Sequence, residues 1–227
     1  MDFDDVLTSR RSVRNYADRE VDRETLRRIV DRARLAPSSY NLQPWEFLAV
    51  VDDDRRERLQ EVAYGQPHVT DAPVVVAVLT TLDPAAHADR VLADQVEKGL
   101  RTEAEAESTR ERIEGMADGD EASRRNWATT SAALAAQQLM LAARDEGLHT
   151  CPMGGFDEAA FLEAFDVPEG YDPVMLVTVG HAAEDAEALA TDRKFRRPVD
   201  EVLHVDEFDP TADGATTSDG EPVTIDD

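Results

Sequence analysis

The chain has 227 residues, enough for one domain with a substantial buried core, and its 49 Asp plus Glu against 24 Lys plus Arg give a formal charge of −25. A field of that sign repels nucleic acid and anionic membrane, so neither is expected as a partner. Lysine occurs only at Lys98 and Lys194, and so acidic and lysine-poor a surface predicts a halophilic source, where salt screens the self-repulsion.

The single cysteine, Cys151, excludes an internal disulfide and fits a reducing compartment; its ordinary reading is a small core residue. The start, Met1-Asp-Phe-Asp-Asp, is acidic where a secretory leader would be basic and then apolar. The longest apolar run, Ala72 to Leu79, is far too short to span a membrane. A soluble, cytoplasmic protein is the expectation.

In chain order, Phe3, Val6 and Leu7 lie at helical spacing and predict a short helix that delivers Arg10, Arg11, Ser12, Val13 and Arg14 into a loop. Asp22 reads as the N-cap of a second helix, with Leu26, Ile29, Val30 and Ala33 on one face, ending before Pro37. Ala36-Pro-Ser-Ser-Tyr-Asn-Leu-Gln-Pro-Trp is turn-rich, and Phe47 to Val51 is a strand candidate. Arg55 to Val62 has helical character before a turn at Tyr64-Gly-Gln-Pro. Val74 to Leu79, continuous and β-branched, predicts a buried strand.

The stretch 83–125 is charged and Ala-rich. Val91, Leu92, Val96, Leu100, Ile113 and Met116 form a thin apolar stripe along it, which predicts two solvated helices over a mobile acidic insertion. Trp127 to Glu146 is apolar on more than one side, with Gly147 where a terminating glycine belongs, and reads as the central core helix and a subunit contact. Cys151-Pro-Met-Gly-Gly-Phe reads as a glycine turn, followed by a helix from Glu158 to Phe165 and a buried strand from Val174 to Val179. From Asp206 onward the composition predicts a disordered or loosely wrapped acidic tail, leaving 1–205 as the folded domain. The mixture of strands and helices predicts an α+β or α/β fold with helices on both sides of one sheet.

Against the acidic background, two basic clusters stand out: Arg10 to Arg14, and Arg193 to Pro198 with Lys194, Arg196 and Arg197. Guanidinium forks match phosphate and carboxylate oxygens bidentately, so the clusters are either an anion site or solvated charges paired with the abundant carboxylates. His68, His87, His149, His181 and His204 have no metal-ligand spacing, and no metal site is expected. No dinucleotide fingerprint and no phosphate-loop motif occurs. Tyr64 and Trp127 are aromatics that either line a pocket or belong to the core.

Arg10-Arg-Ser-Val-Arg-Asn-Tyr, Ala36-Pro-Ser-Ser-Tyr-Asn-Leu-Gln-Pro-Trp, Pro152 to Phe156, Val177-Thr-Val-Gly-His and Lys194-Phe-Arg-Arg-Pro together resemble the nitroreductase family of FMN flavoproteins. The motifs fall in the family's order over about residues 3–205. The resemblance implies an intertwined α+β homodimer, built on a central mixed, mainly antiparallel sheet flanked by helices, with two FMN sites at the subunit interface. It further implies reduction by NADH or NADPH and a small-molecule acceptor such as a nitroaromatic or quinone, in a ping-pong cycle. Residues 83–125 then correspond to a variable helical lid.

Carried over by position, Arg10, Arg11, Ser12 and Arg14 match residues that hold the FMN phosphate, ribityl chain and ring edge. Pro37, Ser38, Ser39 and Asn41 match residues that reach the flavin from the partner subunit. Gln66 matches a ring-contacting amide, Gly154 and Gly155 match backbone donors near flavin N5 and O4, and Lys194 and Arg196 match a second phosphate-binding pair. Lys194 and Arg10 are the candidates for stabilising the reduced ring, and no dedicated acid or base is expected. Some relatives carry Glu where Gly154 stands, so the electrostatics at that point differ. A specialised relative, acting by ene reduction, dehalogenation or ring oxidation, is an alternative within the same family. A flavin-binding or storage protein without turnover is another.

Overall fold

The computed structural model describes residues 1–184 and 194–208, and the chain divides into two compact units, Met1–Thr191 and Asp192–Asp227. In the first unit four strands, β1 (Trp45–Val50), β2 (Val74–Thr81), β3 (His149–Met153) and β4 (Tyr171–Gly180), form one sheet in the order β1-β2-β4-β3. Every neighbouring pair is antiparallel, which makes the fold α+β; the only parallel pairing among the described residues is an isolated bridge between Ser12 and Thr150. The helices are α1 (Phe3–Ser9), α2 (Arg23–Ala33), α3 (Asp53–Val62), α4 (His68–Asp71), α5 (Ala88–Glu97), α6 (Glu103–Ala117), α7 (Glu121–Asp145) and α8 (Glu158–Ala164).

All eight residues of β2 are buried, because both faces of the sheet are covered. Val74, Val76 and Val78 pack with Ile29 and Ala33 of α2 and with the alanine-rich stripe of α7. Val75, Ala77 and Leu79 pack with Leu59 of α3 and Phe161 of α8. The period-two alternation of a strand thus divides one apolar run between two cores. Small side chains on α7 (Ala132, Ala135, Ala136, Ala143) let its axis approach the sheet closely.

The core helix begins at Glu121, ahead of the expected Trp127. Asp120 caps it by accepting from the Ser123 amide at 2.9 Å. It ends as expected, with Gly147 at φ 79° and Leu148 N–H donating to Ala143 O at 2.9 Å. The expected glycine turn is corrected at its front half: Cys151, Pro152 and Met153 belong to β3, and the turn starts at Gly154. Pro152 fits because β3 is the last strand in the sheet order, and an edge strand tolerates a residue without N–H. Residues 83–125 include α5 and α6, joined by a capping box at Thr102 and Glu105. Val91, Leu92 and Ile113 of the predicted stripe are buried, whereas Leu100 is exposed in the turn between the two helices. These helices enclose a small core of their own with Leu42 and Trp127.

In the second unit, residues 194–208 contain a single 3-10 turn, Val199–Glu201, beside which Arg197 pairs with Glu201 at 3.2 Å. Arg193 and residues 209–227, which carry most of the predicted tail, lie outside the described residues.

Candidate functional site

The arginine loop is held by its neighbours along the chain and by the sheet. Helix α1 ends at Ser9, and Arg10 leaves it in an extended conformation, its N–H still bonded to Val6 O at 3.1 Å. The Arg11 guanidinium donates to Thr8 O (2.5 Å) and Arg10 O (3.0 Å), folding back over the helix end. Ser12 then bridges to Thr150 of β3, and Val13 N–H donates to Thr150 O at 3.0 Å. Val13 is buried while Ser12 and Arg14 on either side are exposed, the alternation of a strand laid on the sheet edge.

Tyr16 locks the exit of the loop. Its buried hydroxyl donates to Val13 O at 2.8 Å and lies 2.7 Å from Thr178 Oγ1. Burial drives the phenol pKa far above its ordinary value. Beyond it, Ala17 N–H donates to His181 O (2.9 Å) and Ala183 N–H to Asn15 O (3.1 Å), so the segment continues along the end of β4.

The other end of β3 carries the glycine turn. Gly154 and Gly155 follow Met153 directly, and both are exposed. A Cβ at Gly154 would meet nothing within 4 Å, so the protein itself does not require glycine there; the open side is available to a ligand's approach. Gln66 closes the back of this turn, its Nε2 donating to Gly155 O at 2.8 Å and to Ala63 O at 3.0 Å. Both amide hydrogens are thereby committed, leaving Oε1 as the group Gln66 can present. The arginine loop and the glycine turn therefore share β3, with Thr150 and Gly154 four residues apart, about 13 Å along an extended strand.

Pro37, Ser38, Ser39 and Asn41 take a different position. Tyr40, Asn41 and Gln43 all have positive φ (53°, 60° and 48°), an unusual density of left-handed non-glycine residues. The strain is held by local bonds: Gln43 N–H to Ser38 Oγ at 3.0 Å, Asn41 N–H to Ser38 O at 3.0 Å, and Leu42 N–H to Ser39 O at 3.1 Å. Buried Leu42 anchors the loop against α5 and α6. Pro37 lines an apolar groove of ≈ 600 Å³ with Phe3, Val6, Leu134 and Leu141, on α1 and α7 rather than along β3. Lys194 and Arg196 belong to the second unit, where the Arg196 guanidinium donates to Lys194 O (3.2 Å) and Phe195 O (3.0 Å).

Among the remaining candidates, Trp127 packs into the core under α5 and α6, while Tyr64 is 70% exposed on a turn with φ 57°. His68 is buried near Arg14 and Asp71, with its Nε2 unbonded; burial first, and the Arg14 charge second, hold its pKa below the ordinary value. Among the described residues no group of three or more His, Cys, Asp and Glu could hold a metal, and no helix is long and apolar enough to cross a membrane. Sequence reasoning missed Tyr16, Thr150 and Arg144 as supports of the site. Each has a partner more than a hundred residues away in the chain: Thr178 for Tyr16, Ser12 for Thr150 and Ser9 for Arg144.

The nitroreductase family model matches residues 7–181, from the end of α1 to just past β4. The chain belongs to the nitroreductase family. YodC of Bacillus subtilis, named "Putative NAD(P)H nitroreductase", is 36% identical over 183 residues, covering 80% of this chain and 90% of that protein. An NADH dehydrogenase of Thermus thermophilus is 35% identical over 186 residues, covering 82% and 89%. A solved Exiguobacterium sibiricum structure in complex with FMN superposes with TM-score 0.80 at 30% identity, covering 90% of this chain and 97% of that one. Ser12 bridges to Thr150 near the start of β3, and unobstructed backbone lies at Gly154 just past its end.

Proposed function

We propose that this nitroreductase-family chain is an FMN-dependent oxidoreductase that takes electrons from NADH or NADPH and passes them to a nitroaromatic, a quinone or a related small electrophile. The observation that carries this reading is the shared strand: the arginine loop and the Gln66-backed glycine turn flank β3. Bound FMN would supply the two-electron carrier. The protein's part is to bind and orient. Arg10, Arg14 and Ser12 would hold the phosphate, whose dianion requires several cations. The exposed Gly154–Gly155 backbone would admit the ring, and Gln66, whose amide hydrogens are committed to Ala63 O and Gly155 O, would present its Oε1 as an acceptor. Lys194 and Arg196 carry a proposed phosphate role through the family resemblance alone. Donor and acceptor are proposed to bind in turn, in ping-pong order.

A second copy of the chain is proposed to cover the apolar groove along α7, each copy offering its Pro37–Asn41 segment to its partner's site. Leu134, 46% exposed in the middle of that groove, is consistent with such cover. The test is an anaerobic absorption spectrum of the purified protein, with NADH and then NADPH added. Oxidised-flavin bands that bleach with one nucleotide, and parallel double-reciprocal lines with a quinone, are expected. A colourless protein that takes up no added FMN overturns the proposal, and flavin bands that no nucleotide bleaches reduce it to flavin binding.

A further inference from the structure

We infer that Arg144, in the last turn of α7, is the positioning residue that presents the arginine loop to its anion; the inference rests on the FMN-binding reading above. Its guanidinium reaches in two directions. Nε donates to Ser9 Oγ at 2.8 Å, and NH1 lies 3.2 Å from His149 Nε2. Ser9 is the last residue of α1 and the immediate neighbour of Arg10, while His149 opens β3 and is the immediate neighbour of Thr150. One side chain therefore ties together the two segments whose pairing, Ser12 with Thr150 and Val13 N–H with Thr150 O, shapes the loop. A guanidinium is always a donor, so His149 Nε2 is the accepting atom of this contact.

The last residue of α7 and its C-cap hold the same neighbourhood. Asp145 takes the Met1 amino group at 2.6 Å and Arg32 at 2.7 Å, and Glu146 takes Arg28 at 2.9 Å. Helix α1 is thus fastened to α7 at both ends, and only the Arg144 end leads into the loop. Arginine at the end of a helix is commonly read as a complement to the helix dipole. Here its forked geometry is used, because a single ammonium cannot meet Ser9 and His149 together in the same way. Arg144 needs no contact with the ligand: it fixes the spacing between α1 and β3, on which the direction of Arg10, Ser12 and Arg14 depends.

The test uses the full chain with R144Q, R144K and, as a control at the same end of α7, R28Q, which loses the pair to Glu146. Hydrogen exchange reads the Val13 amide directly, and FMN titration reads the consequence. R144Q is expected to speed Val13 exchange and to weaken FMN binding by about tenfold each, the size expected for losing charged hydrogen bonds, while β2 amides are unchanged. R144K, which keeps the charge and one bond at most, should fall between, and R28Q should leave both readouts at wild type. Unchanged Val13 exchange in R144Q and R144K overturns the proposal, as does faster exchange with unchanged FMN affinity or an equal effect from R28Q. If R144Q does not fold, R144K against R28Q decides on the same two readouts. Should the wild type take up no FMN, the functional reading falls, and the exchange measurement alone decides whether Arg144 positions the loop.

Discussion

Tyr16 carries more of the site's geometry than any of the arginines it follows. Its hydroxyl satisfies a carbonyl in the loop and sits against Thr178 of β4, all of it buried. Tyr16→Phe keeps the ring but leaves Val13 O and the Thr178 hydroxyl short of a partner, and should cost about 1–3 kcal/mol in a urea unfolding titration. An unchanged midpoint would show that the hydroxyl does not hold the loop. His68 adds a pH dependence of definite sign. Its folded pKa lies below the ordinary 6.5 through burial and the Arg14 charge, so the unfolded chain takes up this proton first as pH falls. His181, held low by burial and then by Arg19, acts in the same direction. Stability from these residues is complete above about pH 6.5 and is lost progressively below it. Melting temperatures followed between about pH 7.5 and 5 should fall with acid, and H68N should flatten part of that slope; an identical slope in H68N would remove His68 as a cause. The arginines themselves were legible as a local excess of one charge. Tyr16 was not, because its role depends on Thr178, 162 residues away.

Close packing at the end of β4 is the corresponding constraint on the elements. A Cβ at Gly180 would stand 2.6 Å from Pro73 Cδ and 2.9 Å from Tyr16 Cδ1, so the strand end, the entry to β2 and the loop exit meet where only glycine fits. Gly180→Ala should destabilise by about 1–3 kcal/mol, read as a lower urea midpoint with no change in m-value. Wild-type stability would mean that the proline ring and Tyr16 move aside freely. Most elements could be read from pattern. The continuous apolar run of β2 and the apolar character of α7 on more than one side each left little choice, and Gly147 marked where α7 stops. Strand β3 could not be read: His-Thr-Cys-Pro-Met has no period-two contrast and contains a proline, and its strand character comes from pairing with β4. The early start of α7 was missed for a related reason, since Asp120 capping acts through one backbone amide and leaves no apolar signal.

For the molecule as a whole, electrostatics set two effects against each other. Ion pairs such as Arg32 with Asp145 and Arg28 with Glu146 weaken as salt screens them, yet partly exposed pairs are worth only about 0–1 kcal/mol each. The self-repulsion of a chain at −25 is relieved by the same screening. The second effect should win, so the melting temperature should rise when KCl is raised from about 0.1 M to 2 M, over which the screening length falls to a few ångströms. A fall would show that the ion pairs dominate. The family and its cofactor expectation were legible because five short motifs kept their order; which motifs meet in space was not, since Arg10 and β3 are brought together only by the completed sheet.

That dependence extends to the making of the protein. Residues 10–16 are synthesised early, but the groups that shape them, Thr150 and Thr178, come near the end, and the Tyr16 to Thr178 bond closes over 162 residues. At a translation rate of about 5–20 residues per second, this basic stretch remains without its framework for roughly 8–30 s on the ribosome. These arginines can thus take up their final arrangement only after nearly the whole first unit has emerged.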